Sequence, residues 1–123
     1  MECPFCNIEK ERIVIENKFA CAIYDAFPVT KNHTLIIPKR HVPDYFDLDE
    51  KEVLYSEELL KHMKEKLELE DNSIKGFNIG INSGEVAGQT VLHCHIHLIP
   101  RRVGDVKNPR GGIRHIIPDK GFY

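Results

Sequence analysis

From Leu92 to Leu98 the chain reads Leu-His-Cys-His-Ile-His-Leu, with an imidazole at every second position and apolar residues between. Alternation with a period of two is the pattern of a β-strand whose two faces meet different surroundings. One face of this strand is predicted to be apolar. The other carries His93, His95 and His97 in a row, about 6–7 Å apart from one to the next. Neutral imidazole is well suited to bind metal, attack an electrophile or carry protons near pH 7. A partly solvated strand face is the plain alternative, but several neighbouring features converge on the same stretch and favour chemistry.

The 123 residues are expected to form one domain, 1–123, large enough to bury its own core. A hydrophobic share of 41% with 29% charged residues is that of an ordinary globular chain. Met1-Glu2-Cys3-Pro4-Phe5 contains no apolar core of signal-peptide length, and no apolar run approaches a membrane span. The expected location is therefore cytoplasmic. A net charge of −2 argues against general affinity for nucleic acid or an anionic membrane. Charge is nonetheless unevenly placed. Residues 47–71 hold ten acids against four lysines, whereas residues 99–123 hold six bases (Arg101, Arg102, Lys107, Arg110, Arg114, Lys120) against two acids. The acidic stretch reads as a solvated helix face. The basic one would suit a polyanionic ligand of modest size, or is solvated loop charge.

Ile13-Val14-Ile15 and Phe19 to Tyr24 read as two strands joined by a turn at Glu16-Asn17-Lys18, and Thr34 to Ile37 as a third stopped by Pro38. Asp47 and Glu50 have the spacing of a capping box, and Val53, Leu60, Met63 and Leu67, with Leu59 beside them, repeat at helical spacing. One amphipathic helix is thus predicted over residues 48–70, with His62 on its exposed side. Gly76 to Asn82 alternates as a fourth strand, and Ile113 to Ile117 reads as a short final one. Antiparallel strands with one long inserted helix predict an α+β fold, an antiparallel sheet with one long helix packed on it.

Four cysteines in a chain without export signals read as thiols or metal ligands rather than disulfides. Cys21 and Cys94 fall within apolar alternation and read as small core residues. Cys3-Pro4-Phe5-Cys6 is a Cys-x-x-Cys pair. A redox role would need a strand directly before it, which two preceding residues cannot make. Two inert thiols are one remaining reading; a structural zinc, which needs two further ligands, is the other. No local His-x-His finger lies near the pair, so the metal would have to clamp it onto the body of the fold. His93, at the edge of the triple, and His41, after the third strand, are the natural candidates.

Two chemistries are open to the triple itself. The outer imidazoles of a straight strand lie about 13 Å apart, too far to share one metal, although two of the three could. The alternative is a nucleophilic imidazole flanked by helpers. The preceding loop favours this, because Gly84 and Gly88 permit close backbone approach and Asn82, Gln89 and Thr90 supply neutral donors. Such a setting suits a phosphate-like cluster of oxygens.

Gly88-Gln89-Thr90, followed by the run from His93 to Ile99, resembles the histidine-triad signature. That signature is His-φ-His-φ-His-φ-φ, with φ apolar, preceded by Gly-Gln-Ser/Thr. The likeness extends through Asp25, Asn32-His33, Ile36-Ile37-Pro38-Lys39, His41 and Pro100-Arg101, covering roughly residues 3–103. It implies a histidine-triad fold, usually a homodimer, that hydrolyses or transfers nucleoside monophosphates. Position by position, it implies that His95 attacks the α-phosphorus and forms a nucleotidyl-histidine that water then hydrolyses. It assigns the phosphate oxygens to His97, phosphate and leaving-group positioning to Gln89 and Thr90, and the nucleotide end to Asn82. Asp25 would take the ribose hydroxyls and His33 would orient the triad. In zinc-containing members the ligands match Cys3, Cys6, His41 and His93, one structural zinc per chain, which leaves His95 and His97 for catalysis.

The extended basic tail resembles the hydrolases of dinucleoside polyphosphates such as diadenosine tetraphosphate, which release AMP. There Arg101, Arg102 or Arg114 would engage the longer anionic chain. A nucleoside phosphoramidase is the alternative with a different leaving group. A non-catalytic nucleotide-binding or zinc-stabilised interaction module is the alternative from another class. Nucleic-acid binding through the tail is disfavoured by the net charge and by a single aromatic pair, Phe122-Tyr123.

Overall fold

The computed structural model describes residues 3–123; Met1 and Glu2, which belong to the stretch read above as free of a targeting segment, lie outside the described residues. Five strands, β1 (Ile13–Glu16), β2 (Ala20–Tyr24), β3 (Thr34–Pro38), β4 (Ile74–Gly80) and β5 (Ile96–Arg102), form one antiparallel sheet in the order β1-β2-β3-β5-β4. The long helix α1 (Glu50–Glu70) enters between β3 and β4 and lies over β2 and β3. This is the expected α+β architecture.

The β1–β2 turn forms where the sequence places it. The Asn17 side-chain oxygen accepts from the amides of Phe19 (3.1 Å) and Ala20 (2.9 Å), which closes the turn locally. Its amide nitrogen donates to Tyr55 O at 2.8 Å and ties the hairpin to the helix.

The start of α1 corrects the capping-box frame. Asp49, not Asp47, is the N-cap, and its partner is Glu52, not Glu50. Both frames have the Asp-x-x-Glu spacing, so local chemistry cannot choose between them. A distant residue does: Arg40 donates two hydrogen bonds to Glu52, at 2.6 and 3.0 Å, and Glu52 is buried beneath it. Asp47 instead closes a short turn whose first residue, Tyr45, follows the cap residue Asp44.

Leu59, Met63 and Leu67 face the sheet and meet Ala20, Ala22, Ile36, Ile96 and Leu98 in one cluster. The small alanines on β2 make room for the helix. Cys21, Ile23, Leu35 and Ile37 point to the opposite face, where Phe5, Ile8 and Ile13 cover them. Met63 is fully buried. Met63→Ala should therefore cost about 2–5 kcal/mol, read as a lower urea midpoint with an unchanged slope. A midpoint within error of wild type would show that the helix is not packed as described.

Two predicted strands change character. The histidine run pairs with β3 and β4 only from Ile96 onward; His93, Cys94 and His95 precede the strand. There the Cys94 amide donates to Val42 O at 2.7 Å, a loop contact that replaces strand pairing. Ile113 to Ile117 was expected to be extended, but Gly112–Ile116 is a 3₁₀ turn. Gly111 and Gly112 reverse the chain at φ of 93° and 47°, conformations open to glycine, and local bonds then satisfy the backbone. Among the described residues no helix is long and apolar enough to cross a membrane.

Candidate active site and metal centre

Strand β5 sends Ile96 and Leu98 into the core and His97 to the other face, in register with Leu35 of β3. The break before Ile96 separates the three histidines that the sequence lines up. His93 turns inward and is fully buried, whereas the rings of His95 and His97 stay together at 5.2 Å.

His93 meets Cys3, Cys6 and His41. Its Nδ1 lies 3.4 Å from Cys3 Sγ, 3.6 Å from Cys6 Sγ and 3.2 Å from His41 Nδ1, and Cys6 Sγ lies 3.2 Å from His41 Nδ1. All four ligand atoms fall within 4.8 Å of one another. Zinc bonds of about 2.0–2.3 Å in a tetrahedron put neighbouring ligand atoms about 3.3–3.8 Å apart. The four residues thus fit one closed tetrahedral zinc site. His93 Nε2–H donates to Pro38 O at 2.7 Å, which leaves Nδ1 unprotonated and aimed at the metal position. His41 reaches the cluster because Arg40, beside it, is anchored on Glu52. Sequence reasoning offered no role for that pair; a buried glutamate at a helix N-terminus was the missed signal.

His95 and His97 are held in opposite tautomers. His95 Nδ1–H donates to His93 O at 2.8 Å, so Nε2 keeps the lone pair. For His97 the assignment runs through a relay. The Val29 amide donates to His33 Nδ1 at 3.2 Å, so a neutral His33 carries its proton on Nε2. That N–H donates to His97 Nδ1 at 2.9 Å, which leaves the proton of His97 on Nε2. One imidazole presents an electron pair and its neighbour presents a donor.

Burial lowers the pKa of both His33 and His97, and for both the charge of Asp25 partly offsets this. Nearby His95 and His33 lower His97 further. Both rings therefore stay neutral below the ordinary value of 6.5. A depressed imidazole pKa means that the unfolded chain takes up protons first. The stability these rings contribute is present above pH 6.5 and is lost as pH falls through their folded values. Urea midpoints measured downward from pH 7 should thus fall below about pH 6.5, and His33→Gln should blunt that fall. An identical pH profile in the variant would refute the assignment.

Of the other expected site residues, Asp25 clusters with His33 and His97, one side-chain N or O atom of each lying within 4.8 Å of the others, and Asn82 shares a cleft with His33 and His97. Asp25 accepts from the Phe27 amide at 2.9 Å and turns its second oxygen toward His33 Nε2 at 3.6 Å. Asn82 lines an open cleft of about 810 Å³ beside His97, whose walls include Ile79, Ile81 and Ile113. Thr90 is exposed at the end of the glycine loop. Gln89 is buried, and both ends of its amide are committed: it accepts from Gly84 N and donates to Pro43 O and Val91 O. It therefore holds the loop's shape. Cys21 and Cys94 are buried as expected, and burial pushes the Cys94 thiol up to about 11, which makes it inert.

The arginines expected to meet a polyphosphate already have protein partners, and Arg101 and Arg102 line the same cleft as Asn82 and His97. Arg101 forms a two-pronged pair with Asp105 and also donates to Asn78. Arg102 donates to Asp71 at 3.0 Å and to Lys31 O, and Arg114 donates to Gly121 O and stacks on Tyr123.

A model of the HIT domain matches residues 8–104. The adenosine 5'-monophosphoramidase of Saccharomyces cerevisiae is 34% identical over 104 residues, covering 81% of this chain and 63% of that protein. Among solved structures, the diadenosine triphosphate hydrolase of Plasmodium falciparum superposes with a TM-score of 0.75 at 30% identity, covering 89% of this chain and 71% of that one. A zinc-bound histidine triad family protein from Mycobacterium smegmatis superposes with a TM-score of 0.71 at 34% identity, covering 78% of this chain and 69% of that one. With four-fifths of its length matched by one domain model, and with the fold and the paired imidazoles in place, this chain belongs to the HIT, or histidine triad, family.

Proposed function

We propose that this HIT protein is a nucleotide hydrolase or transferase in which His95 is the nucleophile. His95 Nε2 attacks the α-phosphorus of a nucleoside phosphate; an N–P bond forms as the bond to the leaving group breaks. Water then attacks the same phosphorus, breaks the N–P bond and releases the nucleoside monophosphate. A neutral imidazole splits one difficult displacement into two easier ones. The observation that carries this reading is the hydrogen-bond pattern of the two rings, His95 Nδ1 on the His93 carbonyl and His97 Nδ1 on His33 Nε2, which for neutral imidazoles gives a lone pair on His95 and an N–H on His97 for the charge on the phosphate oxygens. A donor so placed contributes about 3–4 kcal/mol, if comparable to one in an oxyanion hole. Thr90 and Asn82 would contact the phosphates and the nucleotide end, and Asp25 the ribose. Rapid quench in base, where a histidine N–P bond survives, and mass spectrometry should find the nucleotidyl adduct on the peptide that contains His95. Turnover with no adduct at any quench time would overturn the mechanism.

Zinc on Cys3, Cys6, His41 and His93 is part of the same reading, as are a homodimer and a cytoplasmic location. The metal would be structural, because four protein ligands leave no open position for substrate.

Two leaving groups compete. The likeness to a diadenosine triphosphate hydrolase supports a dinucleoside polyphosphate, such as diadenosine tetraphosphate. The engagement of Arg101 with Asp105 and of Arg102 with Asp71 favours a phosphoramidate, which has no distal phosphates to bind. Replacing Arg102 and Arg114 with glutamine should then reduce efficiency on the two substrates by equal factors. A loss on the tetraphosphate at least tenfold larger would return the polyphosphate to first place.

A further inference from the structure

Between the two cysteines of the Cys3/Cys6/His41/His93 cluster lies Phe5. Residues 3–8 precede the first strand and pair with none of the five strands. Their one internal backbone bond runs from Cys6 N to Cys3 O. Side chains therefore anchor the segment: Cys3 and Cys6 at the metal cluster, Phe5 and Ile8 on the core face formed by Cys21, Ile23, Leu35 and Ile37. The ring of Phe5 meets the ring of His95 edge-on at 5.1 Å and 66°, and that of His93 at 6.1 Å and 88°. His95 also receives an edge contact from His97 at 5.2 Å and gives its Nδ1–H to the carbonyl of His93.

We infer that Phe5 is a positioning residue for His95, and that the Cys3/Cys6/His41/His93 cluster, held by metal, orients His95 through both the Phe5 ring and the His93 carbonyl. The inference rests on the reading of His95 as the nucleophile. Loss of the metal frees the segment that carries Phe5 and releases the ring of His93, so both supports of the reacting imidazole loosen together. The cluster between sheet and helix contains none of residues 3–8, so the fold should survive this with the face of Cys21, Ile23, Leu35 and Ile37 less well covered. A reacting atom displaced by 1 Å can cost about a hundredfold in rate, so partial loosening should cost about tenfold.

The test uses the full chain, zinc-loaded and labelled with ¹⁵N-histidine, as wild type, Phe5→Leu and Phe5→Tyr. Leucine keeps the apolar packing without the ring edge; tyrosine keeps the edge. Zinc content, the His95 Nδ1–H resonance, kcat and KM are measured on each. With zinc at about one per chain throughout, Phe5→Leu should broaden the His95 resonance and lower kcat about tenfold, the loss falling on kcat more than KM. Phe5→Tyr should restore both. Chelating zinc from wild type should broaden the same resonance while far-ultraviolet circular dichroism stays native. A wild-type His95 resonance in zinc-bound Phe5→Leu, or in chelated wild type, would overturn the inference. If the resonance responds as expected but wild type forms no nucleotidyl adduct, the positioning stands and the assignment of His95 as nucleophile falls.

Discussion

His95→Ala should retain nucleotide binding and lose turnover, by about 10⁴-fold or more. Covalent catalysis has no substitute nucleophile here. His97 presents N–H rather than a lone pair, and its Nδ1 is occupied by His33. His93 is buried with both ring nitrogens engaged. Ribose and phosphate contacts assigned to Asp25, Asn82 and Thr90 lie on other segments, so binding measured by calorimetry with a non-hydrolysable nucleotide should change by less than about tenfold. A variant that keeps a tenth of wild-type turnover would remove His95 from the nucleophile's role. His97→Asn should fall between wild type and His95→Ala, because it deletes a donor to the phosphate oxygens and leaves the attacking atom.

Zinc removal should have the second-largest effect, and on stability before activity. Purified protein should carry about one zinc per chain, and Cys6→Ser or a strong chelator should remove it. With free zinc a thousandfold above its dissociation constant, linkage stabilises the native state by about 4 kcal/mol. For a chain of 123 residues that corresponds to a drop in Tm on the order of 10–20 °C. Activity at 25 °C should persist at a reduced level, since the metal does not touch the reacting atoms. Protein made with zinc present that contains none, and gains no stability when it is added, would refute the site.

Much of this was legible in the residues alone. Val53, Leu59, Leu60, Met63 and Leu67 announce α1 because a helix must bury one stripe, and the β1–β2 turn follows from Asn17 capping its own backbone. Spacing also singled out the residues proposed to carry the chemistry. The Cys-x-x-Cys pair, the glycine loop and the alternate histidines are local patterns, and their residue types limit what they can do.

What the residues alone left open were choices that local chemistry leaves degenerate. Asp47 and Asp49 offer the same capping frame, and Arg40, reaching Glu52 from another segment, decides between them. Arg101 and Arg102 look like free cations until β4 and the neighbouring loops bring Asn78, Asp105 and Asp71 to them. Gln89 has the side chain of a phosphate donor, and its buried amide is also tied to Pro43 and Gly84, partners that local spacing does not reveal.

The sequence by itself determined the antiparallel sheet-and-helix plan and the family, and it singled out His93, His95 and His97, because periodicity and motif spacing are properties of neighbouring residues. The tertiary structure alone decided which partners each of those three imidazoles meets. The strand stops short of His95 because Val42 captures the Cys94 amide. That turns His93 inward to Cys3, Cys6 and His41, across separations of 90, 87 and 52 residues. Val29 and His33 then set the proton of His97, and the His93 carbonyl sets that of His95. A proton's place on an imidazole depends on the partner of the other nitrogen, and for His97 that partner, His33, comes from the loop before β3.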